Sequence, residues 1–391
     1  MTRLKTLILD GNGAGIKTIG FTTVRGLFGL DEKSKLPFGL HRNPLIYNRL
    51  LARQYRVYSY INDWREAFVL SPRLDATVCD INDVLGYRKS LKHIADYDLI
   101  VLLHSATCDH MHILNRTRAA FDKRRGKMVI FFSNEYEWMA EKAAFVDCTS
   151  AEYVCTQLQL DVAKWIYKFP SDQMIATPHA LNQRLYREPT AKRDIDVGFI
   201  GTLYHDVIGD RERTNLIEYV RDKGELHGLT TDFRLRNIPR EEWAAFLGRC
   251  RGIVGAESGT YFLDHQAKTM DTVRRMMLRD KTLTFDEIWT DDLKRDKEFV
   301  SGKAISSRHF EPIGTKTCQV LIEGDYNGIL KADEHYIAVK KDLSNVGEAL
   351  EKFKDETFRE RIVQQAYDFV LAEHTYDKRV EAVVDRVEGA R

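Results

Sequence analysis

Long hydrophobic runs are missing from this sequence of 391 residues. No apolar run approaches the roughly eighteen residues that a helix needs to cross a bilayer, so the sequence predicts no transmembrane helix. The apolar segment near the N-terminus is too short for a secretory signal and ends in a glycine turn, so we interpret it as a first strand. We therefore expect a cytoplasmic protein.

The sequence also has no excess of one charge. Its 59 lysine and arginine residues are matched by 58 acidic residues, for a net charge of +1, so no global field attracts nucleic acid, and we expect no nucleic-acid partner. The basic run at residues 123–127 is interpreted as a solvated helix end in preference to a lipid-phosphate contact. Six cysteines are scattered without paired metal spacing and are expected to be reduced thiols.

The residues 108–112, Cys-Asp-His-Met-His, have the composition of a metal site but not its spacing. His110 and His112 would not share a face of a helix, and neither an i, i+4 histidine pair nor a C-x2-C pair occurs. No D-x-D motif follows a strand either. We therefore expect no metal and no other cofactor.

Short apolar runs alternate with longer amphipathic segments along the whole chain. This pattern predicts an α/β protein with parallel sheets and crossover helices, and the length suits two domains. A charged segment with Pro189 marks the joint between them. We predict two Rossmann-like domains that face each other across a cleft, with ranges 1–188 and 189–369, and a C-terminal helix (370–391) that returns to the first domain.

Within these domains, individual elements are predicted from the apolar pattern. The predicted strands are Thr6–Leu9, Arg56–Tyr60, Leu99–Leu103, Lys127–Phe132, Phe145–Cys148, Met174–Ala176, Asp196–Ile200, Thr231–Leu235, Gly252–Ala256 and Gln319–Ile322. The predicted helices are Leu45–Gln54, Cys108–Arg124, Ala151–Lys164, Arg211–Lys223, Arg240–Cys250 and Glu311–Thr317. The charged segment 262–300 is interpreted as a surface excursion in preference to a lid or a partner contact.

Residues 306–336 combine several features of a ligand site. Small polar residues and Arg308 precede Glu311, and an apolar strand and an acidic turn follow. A carboxylate at the start of a buried helix accepts hydrogen bonds from two ribose hydroxyls, while backbone N–H groups and an arginine hold a diphosphate. This combination suits a nucleotide-sugar site.

This stretch resembles the C-terminal donor-binding segment of GT-B glycosyltransferases, especially the branch related to spore-maturation glycosyltransferases. That branch has the pattern S-x-R-x-F-E-A-x-A-C-G, then a strand, then L-x-x-G-E-H-Y. The matching residues are Ser307, Arg308, Phe310, Glu311, Leu330, Glu334, His335 and Tyr336. Gly314-Thr315-Lys316 replaces A-C-G, Pro312 replaces an alanine, and Lys303 stands where many retaining members carry a second glutamate.

The resemblance implies a GT-B fold and the transfer of a sugar from a nucleotide-sugar donor to a hydroxyl acceptor, with retention of the anomeric configuration. It implies that Glu311 binds ribose, and that Arg308 binds the diphosphate and stabilises the leaving group. The other residues that we assign to the donor are Ser307, Gly201, Thr202, Arg211 and Lys316. Acceptors in such branches are often surface glycans or glycolipids, so peripheral contact with a membrane is expected at most.

Three further residues follow predicted strands and are candidates for the cleft. His104 is a candidate for the transferred sugar or the acceptor, although a histidine satisfied by a neighbouring backbone is more frequent. Glu257 either binds a sugar hydroxyl or stabilises positive charge at the anomeric carbon, or else it caps the next helix. Glu135 either binds substrate or starts a helix.

The glycine turn at residues 10–15 is the candidate acceptor loop, with Gly13 as its proposed contact, or else a simple tight turn. Two alternatives to transfer stay open at this point. One is a nucleotide-sugar epimerase or phosphorylase of the same fold, and the other is a non-catalytic protein that binds nucleotide sugars.

Overall fold

The computed structural model describes residues 3–13, 15–108, 111–190, 192–203 and 205–389. These residues form two sheets in which all neighbouring strands are parallel. The strands of the first sheet are β1 (Leu4–Asp10), β2 (Leu74–Asp80), β3 (Leu99–Leu102), β4 (Lys127–Phe131), β5 (Tyr153–Thr156) and β6 (Met174–Ala176). The strands of the second are β7 (Ile195–Ile200), β8 (Thr231–Arg234), β9 (Cys250–Gly255), β10 (Cys318–Ile322) and β11 (Ile337–Val339).

Helices connect the strands in both halves. The helices of the first half are α1 (Ile16–Leu27), α2 (Pro44–Ile46), α3 (Ser59–Leu70), α4 (Val84–Lys92), α5 (His104–Thr107), α6 (Met111–Thr117), α7 (Met139–Thr149) and α8 (Leu160–Tyr167). Those of the second are α9 (His205–Ile208), α10 (Glu212–Lys223), α11 (Arg240–Arg249), α12 (Lys268–Arg279), α13 (Phe285–Ile288), α14 (Asp291–Lys294), α15 (Ser307–Gly314), α16 (Val346–Lys354), α17 (Glu356–Glu373) and α18 (Tyr376–Glu388).

The strand orders are β2-β1-β3-β4-β5-β6 and β11-β10-β9-β7-β8. The inner strand β3 is a continuous apolar run, and every residue of β3 and β10 is buried. Such runs form because helices cover both faces of a parallel sheet and leave neither face to solvent. The prediction of two Rossmann-like domains is therefore confirmed.

The C-terminal helix returns to the first domain, as predicted. Leu181 and Thr375 form an isolated bridge where the chain turns back, and α18 follows. Its buried face, which includes Val380 and Val384, joins the core of the first domain, and the Tyr376 ring lies 5.1 Å from that of Trp64. The helix therefore packs as part of the first domain although it ends the chain.

The segment 262–300 is a second bridge between the domains, and the interpretation of it as a surface excursion is wrong. Leu263, Met270 and Val273 pack into the core of the first domain. The Asp271 carboxylate accepts a hydrogen bond of 2.6 Å from the backbone N–H of Trp138, which begins α7. We call residues 262–300 the bridging segment.

A third connection lies at the joint between the domains. Arg240, at the start of α11, forms an ion pair of 2.7 Å with the buried carboxylate of Asp63 on α3. The amide of Asn182, in the chain between the sheets, donates to the same carboxylate at 2.7 Å. The relative position of the domains is thus fixed at their joint by charged and polar contacts.

Several predicted elements are wrong in the first half. Arg56–Tyr60 is not a strand, because a 3-10 turn (Gln54–Val57) leads there into α3. Phe145–Cys148 lies inside α7, and β5 occupies the start of the predicted helix Ala151–Lys164. The predicted helix Leu45–Gln54 is split into α2 and a π turn at Tyr47–Leu51.

No helix among the residues that the structure describes is long and apolar enough to cross a membrane.

Candidate active site

A cleft of about 460 Å³ lies between the two domains, and residues from both of them line it. This volume falls within the range of small-molecule sites, and a crevice at the carboxyl ends of parallel strands is where such sites form in open α/β sheets. The lining includes the side chains of Tyr58, Tyr60, Glu135, Glu137, His179, Thr202, Arg213, Trp243, Arg274, Ser307, Arg308 and Glu311.

Helix α15 points its first turn into this cleft. The His309 Nδ1 atom accepts a 2.9 Å hydrogen bond from the backbone N–H of Ser306, and its Nε2 atom lies 3.1 Å from the carbonyl of Ala256. Burial lowers the pKa of His309 to about 4, so the ring is neutral and serves both contacts. The helix start is therefore fixed against the end of β9, and its N–H groups and partial positive charge face the cleft.

Arg308 lies in the first turn of α15 and lines the cleft. Its guanidinium lies 4.1 Å from the ring centroid of Trp243 and donates to the carbonyl of Ile200 at 2.5 Å. An arginine that is stacked on an indole and bonded to a strand end loses little freedom when it binds an anion. Arg308 is thus a pre-positioned cation at the cleft wall.

Glu311 lies one turn further along the same helix and is 2% exposed. Its Oε2 atom accepts a 2.6 Å hydrogen bond from the indole N–H of Trp243. Burial raises the pKa of Glu311, and the charge of Arg308 and the hydrogen bond from Trp243 oppose that rise. The carboxylate therefore reaches the cleft with donors from Trp243 and Ser307, and its remaining lone pairs can accept hydrogen bonds from a ligand.

The remaining donor residues predicted on α15 and β7 lie near this pair. Ser307 lines the cleft, and its side chain is hydrogen-bonded to Glu311. Thr202 also lines it. Gly201 lies directly behind, because a Cβ atom at Gly201 would stand 3.0 Å from the Arg308 guanidinium. The structure thus brings Gly201, Thr202, Ser307, Arg308 and Glu311 together.

Two further predicted donor residues lie outside the cleft lining. Arg211 precedes α10, is exposed and pairs with Glu218 at 3.7 Å, whereas Arg213 lines the cleft. Lys316 pairs with Glu188 at 2.9 Å, and its backbone has a φ of 51° where the resembling pattern carries glycine. Its position therefore serves the turn that ends α15.

Glu257 and Gly13 also lie outside the lining. The Glu257 Oε1 atom accepts a 2.6 Å hydrogen bond from the N–H of Tyr326, so the side chain fixes the turn after β10. Gly13 has a φ of 99°, and a Cβ atom there would overlap Gln54. Its carbonyl accepts a hydrogen bond from Asn82 at 2.7 Å. Gly13 is therefore enclosed by residues of its own domain.

The first-domain wall of the cleft is largely aromatic. The Tyr60 ring lies 4.8 Å from the ring of His179, and both residues line the cleft. His104 lies one layer behind them, 5.6 Å from His179 and 5.8 Å from Tyr60. It is 1% exposed, neither ring nitrogen is hydrogen-bonded to a residue that the structure describes, and burial lowers its pKa well below the ordinary value. His104 is thus a neutral histidine that supports the wall.

Glu135 belongs to the same wall but is engaged within it. Its carboxylate accepts hydrogen bonds from the hydroxyls of Thr156 and Tyr167 at 2.8 and 2.6 Å and from the N–H of Gln157 at 2.6 Å. Burial raises its pKa against these donors. These contacts join β5 to α8, so Glu135 stabilises the packing of the wall.

Several lining residues were not predicted. Trp243 is the partner of both Arg308 and Glu311, but the sequence shows it only as an apolar residue of an amphipathic helix. Arg274 reaches the cleft from the bridging segment, where it pairs with Glu137. Tyr58 and Tyr60 carry no motif, and only the relative position of the domains reveals them.

No group of three or more His, Cys, Asp or Glu residues that would suit a metal ion occurs within the described parts of the chain. Asp109 and His110 of the run 108–112 lie outside those parts.

Comparison with a family model gives a match over one quarter of the chain. Residues 288–385 match the family described as "Glycosyl transferase-like". This range contains all of α15 and the segment that carries the sequence resemblance. No curated protein matches the sequence.

Solved structures match over nearly the whole chain at low identity. Anabaena Alr3699/HepE in complex with UDP-glucose has a TM-score of 0.51 at 11% identity, with 99% of this chain and 100% of that chain covered. An alpha-glucosyltransferase in complex with UDP and a 13-mer DNA containing a HMU base has a TM-score of 0.52 at 10% identity, with the same coverage. A glycosyltransferase from Rickettsia africae ESF-5 has a TM-score of 0.51 at 9% identity, with 100% and 99% covered. The fold of this chain is therefore the GT-B fold, and its C-terminal segment is glycosyl transferase-like.

Proposed function

We propose that this protein is a glycosyltransferase that moves a sugar from a nucleotide-sugar donor to a hydroxyl acceptor. The observation that carries the proposal is the placement of Arg308 and Glu311 on the first turns of one helix, both at the wall of the interdomain cleft. One cation and one carboxylate at this spacing match the diphosphate and the ribose of a nucleotide sugar. The match of residues 288–385 to a glycosyl transferase-like family supports the same conclusion.

The donor would lie against the second domain. The ribose hydroxyls would donate to Glu311, and the diphosphate would lie between Arg308, Arg213, the N–H groups at the start of α15 and the backbone at Gly201 and Thr202. Arg213 is suited to this role because it lines the cleft and its guanidinium lies 5.3 Å from the ring of Phe199. Gly201 allows the close approach, since a side chain there would meet Arg308.

In the reaction, the bond between the anomeric carbon and the diphosphate oxygen breaks, and the acceptor oxygen forms a bond to that carbon. The electron pair of the broken bond stays on the nucleoside diphosphate, which gains negative charge and then takes up the proton of the acceptor hydroxyl. Fixed arginines and a helix start stabilise such a charge without reorganisation in a site that excludes water. We propose that Arg308 and Arg213 fill this role, and that the transfer is independent of a metal.

We also propose that the anomeric configuration is retained. The residue that stands at the second glutamate position of many retaining relatives, Lys303, forms an ion pair of 2.6 Å with Asp210, and both side chains are almost fully buried. Lys303 is therefore engaged with Asp210, and Glu311 is the residue of these two positions that lines the cleft. The anomeric proton coupling of the isolated product distinguishes retention from inversion.

The acceptor would lie against the tyrosines and His179 of the first domain. Tyrosine rings pack against sugar rings, and their hydroxyls bind sugar hydroxyls, so this wall suits a glycan or the sugar headgroup of a glycolipid. We propose a cytoplasmic enzyme near the spore-maturation branch, on the strength of Ser307, Arg308, Phe310 and Glu311.

Nucleotide binding to Glu311→Ala tests the proposal. Because two ribose hydroxyls would lose their acceptor, we expect affinity for UDP and UDP-glucose, the first probes, to fall at least about tenfold in calorimetry. Other nucleoside diphosphates and their sugars follow in a thermal-shift screen, since a ligand of the folded state raises the melting temperature.

The matched control is Glu334→Ala. Glu334 belongs to the same sequence pattern but is exposed and pairs with Lys331 at 3.7 Å, so its loss should leave nucleotide affinity unchanged. Equal affinity of Glu311→Ala and the wild type for the nucleotide that binds best would reject the ribose role. Binding without any turnover of donor in the presence of cell-envelope extract would favour a nucleotide-sugar-binding protein.

A further inference from the structure

Helix α1 turns its apolar side outward. Along this helix Thr18 and Thr22 are buried, whereas five large apolar residues face solvent. Those residues are Ile16, Phe21, Val24, Leu27 and Phe28. Their spacing places them within about 140° of one another around the helix axis, so they form a single stripe. A helix of a soluble domain ordinarily has the opposite arrangement.

The inner side of α1 is held by polar contacts. The Gln54 amide donates to the Thr18 hydroxyl at 2.7 Å, and the Asn12 amide lies 3.2 Å from the Thr22 hydroxyl. The helix therefore keeps its place without burial of its apolar stripe. Ile16, Leu27 and Phe28 are 89%, 61% and 72% exposed, so the fold itself gains little from them.

The chain that follows extends this surface. Phe38 is fully exposed at a turn where its φ is 55°, and Leu40 and Leu45 are exposed beside it. This part of the chain is tied to α1, since Arg25 donates to the carbonyl of Leu51 at 3.0 Å. We call the residues Ile16, Phe21, Val24, Leu27, Phe28, Phe38, Leu40 and Leu45 the outward apolar face.

The outward apolar face lies in a basic part of the first domain. Residues 15–50 carry six lysine and arginine residues against two acidic ones, a net charge of +4 in a chain whose total is +1. Both acidic residues are engaged locally. Asp31 accepts from the N–H of Lys33 at 2.9 Å, and Glu32 accepts from the N–H of Arg53 at 2.8 Å. Lys17, Lys33 and Lys35 are all exposed.

We propose that the outward apolar face docks the protein on a bilayer surface that contains anionic phospholipid. Exposed aromatic and aliphatic side chains flanked by lysines match the boundary between acyl chains and phosphate headgroups. A second copy of the chain is a poorer occupant, because a two-fold contact through this face would bring the same positive charges together.

The outward apolar face is continuous along the chain with one wall of the cleft. The same stretch of chain continues through the 3-10 turn at Gln54–Val57, and Tyr55, Val57 and Tyr58 line the cleft. A docked protein would therefore hold the tyrosine wall of its cleft close to the bilayer. The inference concerns a binding surface and does not depend on sugar transfer.

Co-sedimentation with vesicles tests the proposal. The wild-type protein should bind vesicles of equal parts phosphatidylcholine and phosphatidylglycerol, and bind pure phosphatidylcholine at least about tenfold more weakly. Phe28→Ser/Phe38→Ser and Lys33→Glu/Lys35→Glu should each reduce binding to the anionic vesicles at least about tenfold. Because all four side chains are exposed, these variants keep their fold, which nucleotide affinity checks independently.

Two matched controls distinguish binding through this face from non-specific binding to vesicles. Leu226→Ser/Leu278→Ser removes two equally exposed leucines of the second half, and Lys123→Glu/Arg125→Glu reverses two exposed charges of the other basic run. Both should bind vesicles like the wild type. Failure of the wild type to bind anionic vesicles, or equal losses in the controls, would overturn the proposal. A dimer that only Phe28→Ser/Phe38→Ser dissociates would also overturn it, since a second copy would then cover the face.

Discussion

The two walls of the cleft carry different chemistry. The second-domain wall presents Arg213 together with Arg308 and Glu311, and the last two contact one tryptophan, Trp243. The first-domain wall presents the rings of Tyr55, Tyr58, Tyr60, Tyr136 and His179. One wall is thus built mainly from fixed charges, and the other mainly from flat rings with polar edges, beside the ion pair of Glu137 and Arg274.

This difference indicates which substrate each domain binds. A diphosphate requires cations and N–H donors at defined positions, and Trp243 and the carbonyl of Ile200 hold Arg308 in such a position. Tyrosine rings instead accept sugar surfaces of varied outline and add hydroxyls that donate and accept. We infer that the second domain determines the donor and that the first domain determines the acceptor.

The largest expected effect tests the charged wall. Arg308→Ala removes a cation placed where the leaving diphosphate gains charge, so kcat for sugar transfer should fall by about a hundredfold or more, while the KM for donor changes less. Steady-state kinetics with varied donor separates the two parameters. An effect confined to KM would show that Arg308 binds donor and transition state equally.

The next effect concerns the tyrosine wall and the pH. Burial keeps the pKa of His104 well below its ordinary value of 6.5, so the unfolded chain takes up a proton below that pH that the folded protein does not. Stability from this residue is complete above about pH 6.5 and is lost as the pH falls. Between about pH 7 and pH 5 the loss is roughly 2 kcal/mol.

His104→Phe removes the titrating group while it keeps a ring among Trp64, Phe131 and Tyr60. The fall in the free energy of unfolding over that pH range, measured by urea denaturation, should therefore be smaller in the variant by about 2 kcal/mol. The same pH dependence in both proteins would mean that His104 is protonated in the folded state and that this wall is more polar than its surroundings indicate.

Two arginines that are neighbours in sequence sharpen the comparison further. Arg213→Ala should weaken the binding of a nucleoside diphosphate about tenfold, because the residue lines the cleft, whereas Arg211→Ala should have almost no effect. Calorimetry with the best-binding nucleotide measures both variants. The reverse result would place the phosphates on the opposite side of α10.

The smallest expected effect tests the division between donor and acceptor. Tyr58 is partly exposed at the edge of the cleft, so Tyr58→Ala should raise the KM for the acceptor about fivefold and leave nucleotide affinity unchanged. Kinetics with varied acceptor, together with calorimetry on the nucleotide, gives both values. A loss of nucleotide affinity would show that this wall also contacts the donor.

The sequence predicts the second domain better than the first because of the kinds of strand they contain. β7, β9 and β10 are mostly apolar runs bounded by turns, and the sequence predicts their ends to within two residues. β2 forms one edge of the first sheet, with a polar and half-exposed sequence that shows no strand pattern, and it was missed. Helix α1 was missed for a related reason, since its apolar side faces away from the core.

The candidate site was predictable only where one segment of chain carries it. Ser307, Arg308 and Glu311 follow one another on α15, so their pattern places them together. Lys316 and Asp333 stand where the resembling pattern has glycines, and both adopt positive φ values, 51° and 57°. The glycines of the pattern therefore reflect the backbone conformation at these two positions. Trp243, Arg274 and the tyrosines reach the cleft from other elements, and no local pattern reveals that.

A crystal structure with a bound nucleoside diphosphate sugar tests the central claim most directly. We predict phosphate oxygens within hydrogen-bond distance of the Arg308 guanidinium and ribose hydroxyls on the Glu311 carboxylate, with the sugar directed towards the wall that contains Tyr60 and His179. A nucleotide bound to the first domain, or one that leaves Arg308 and Glu311 without contact, would contradict the account.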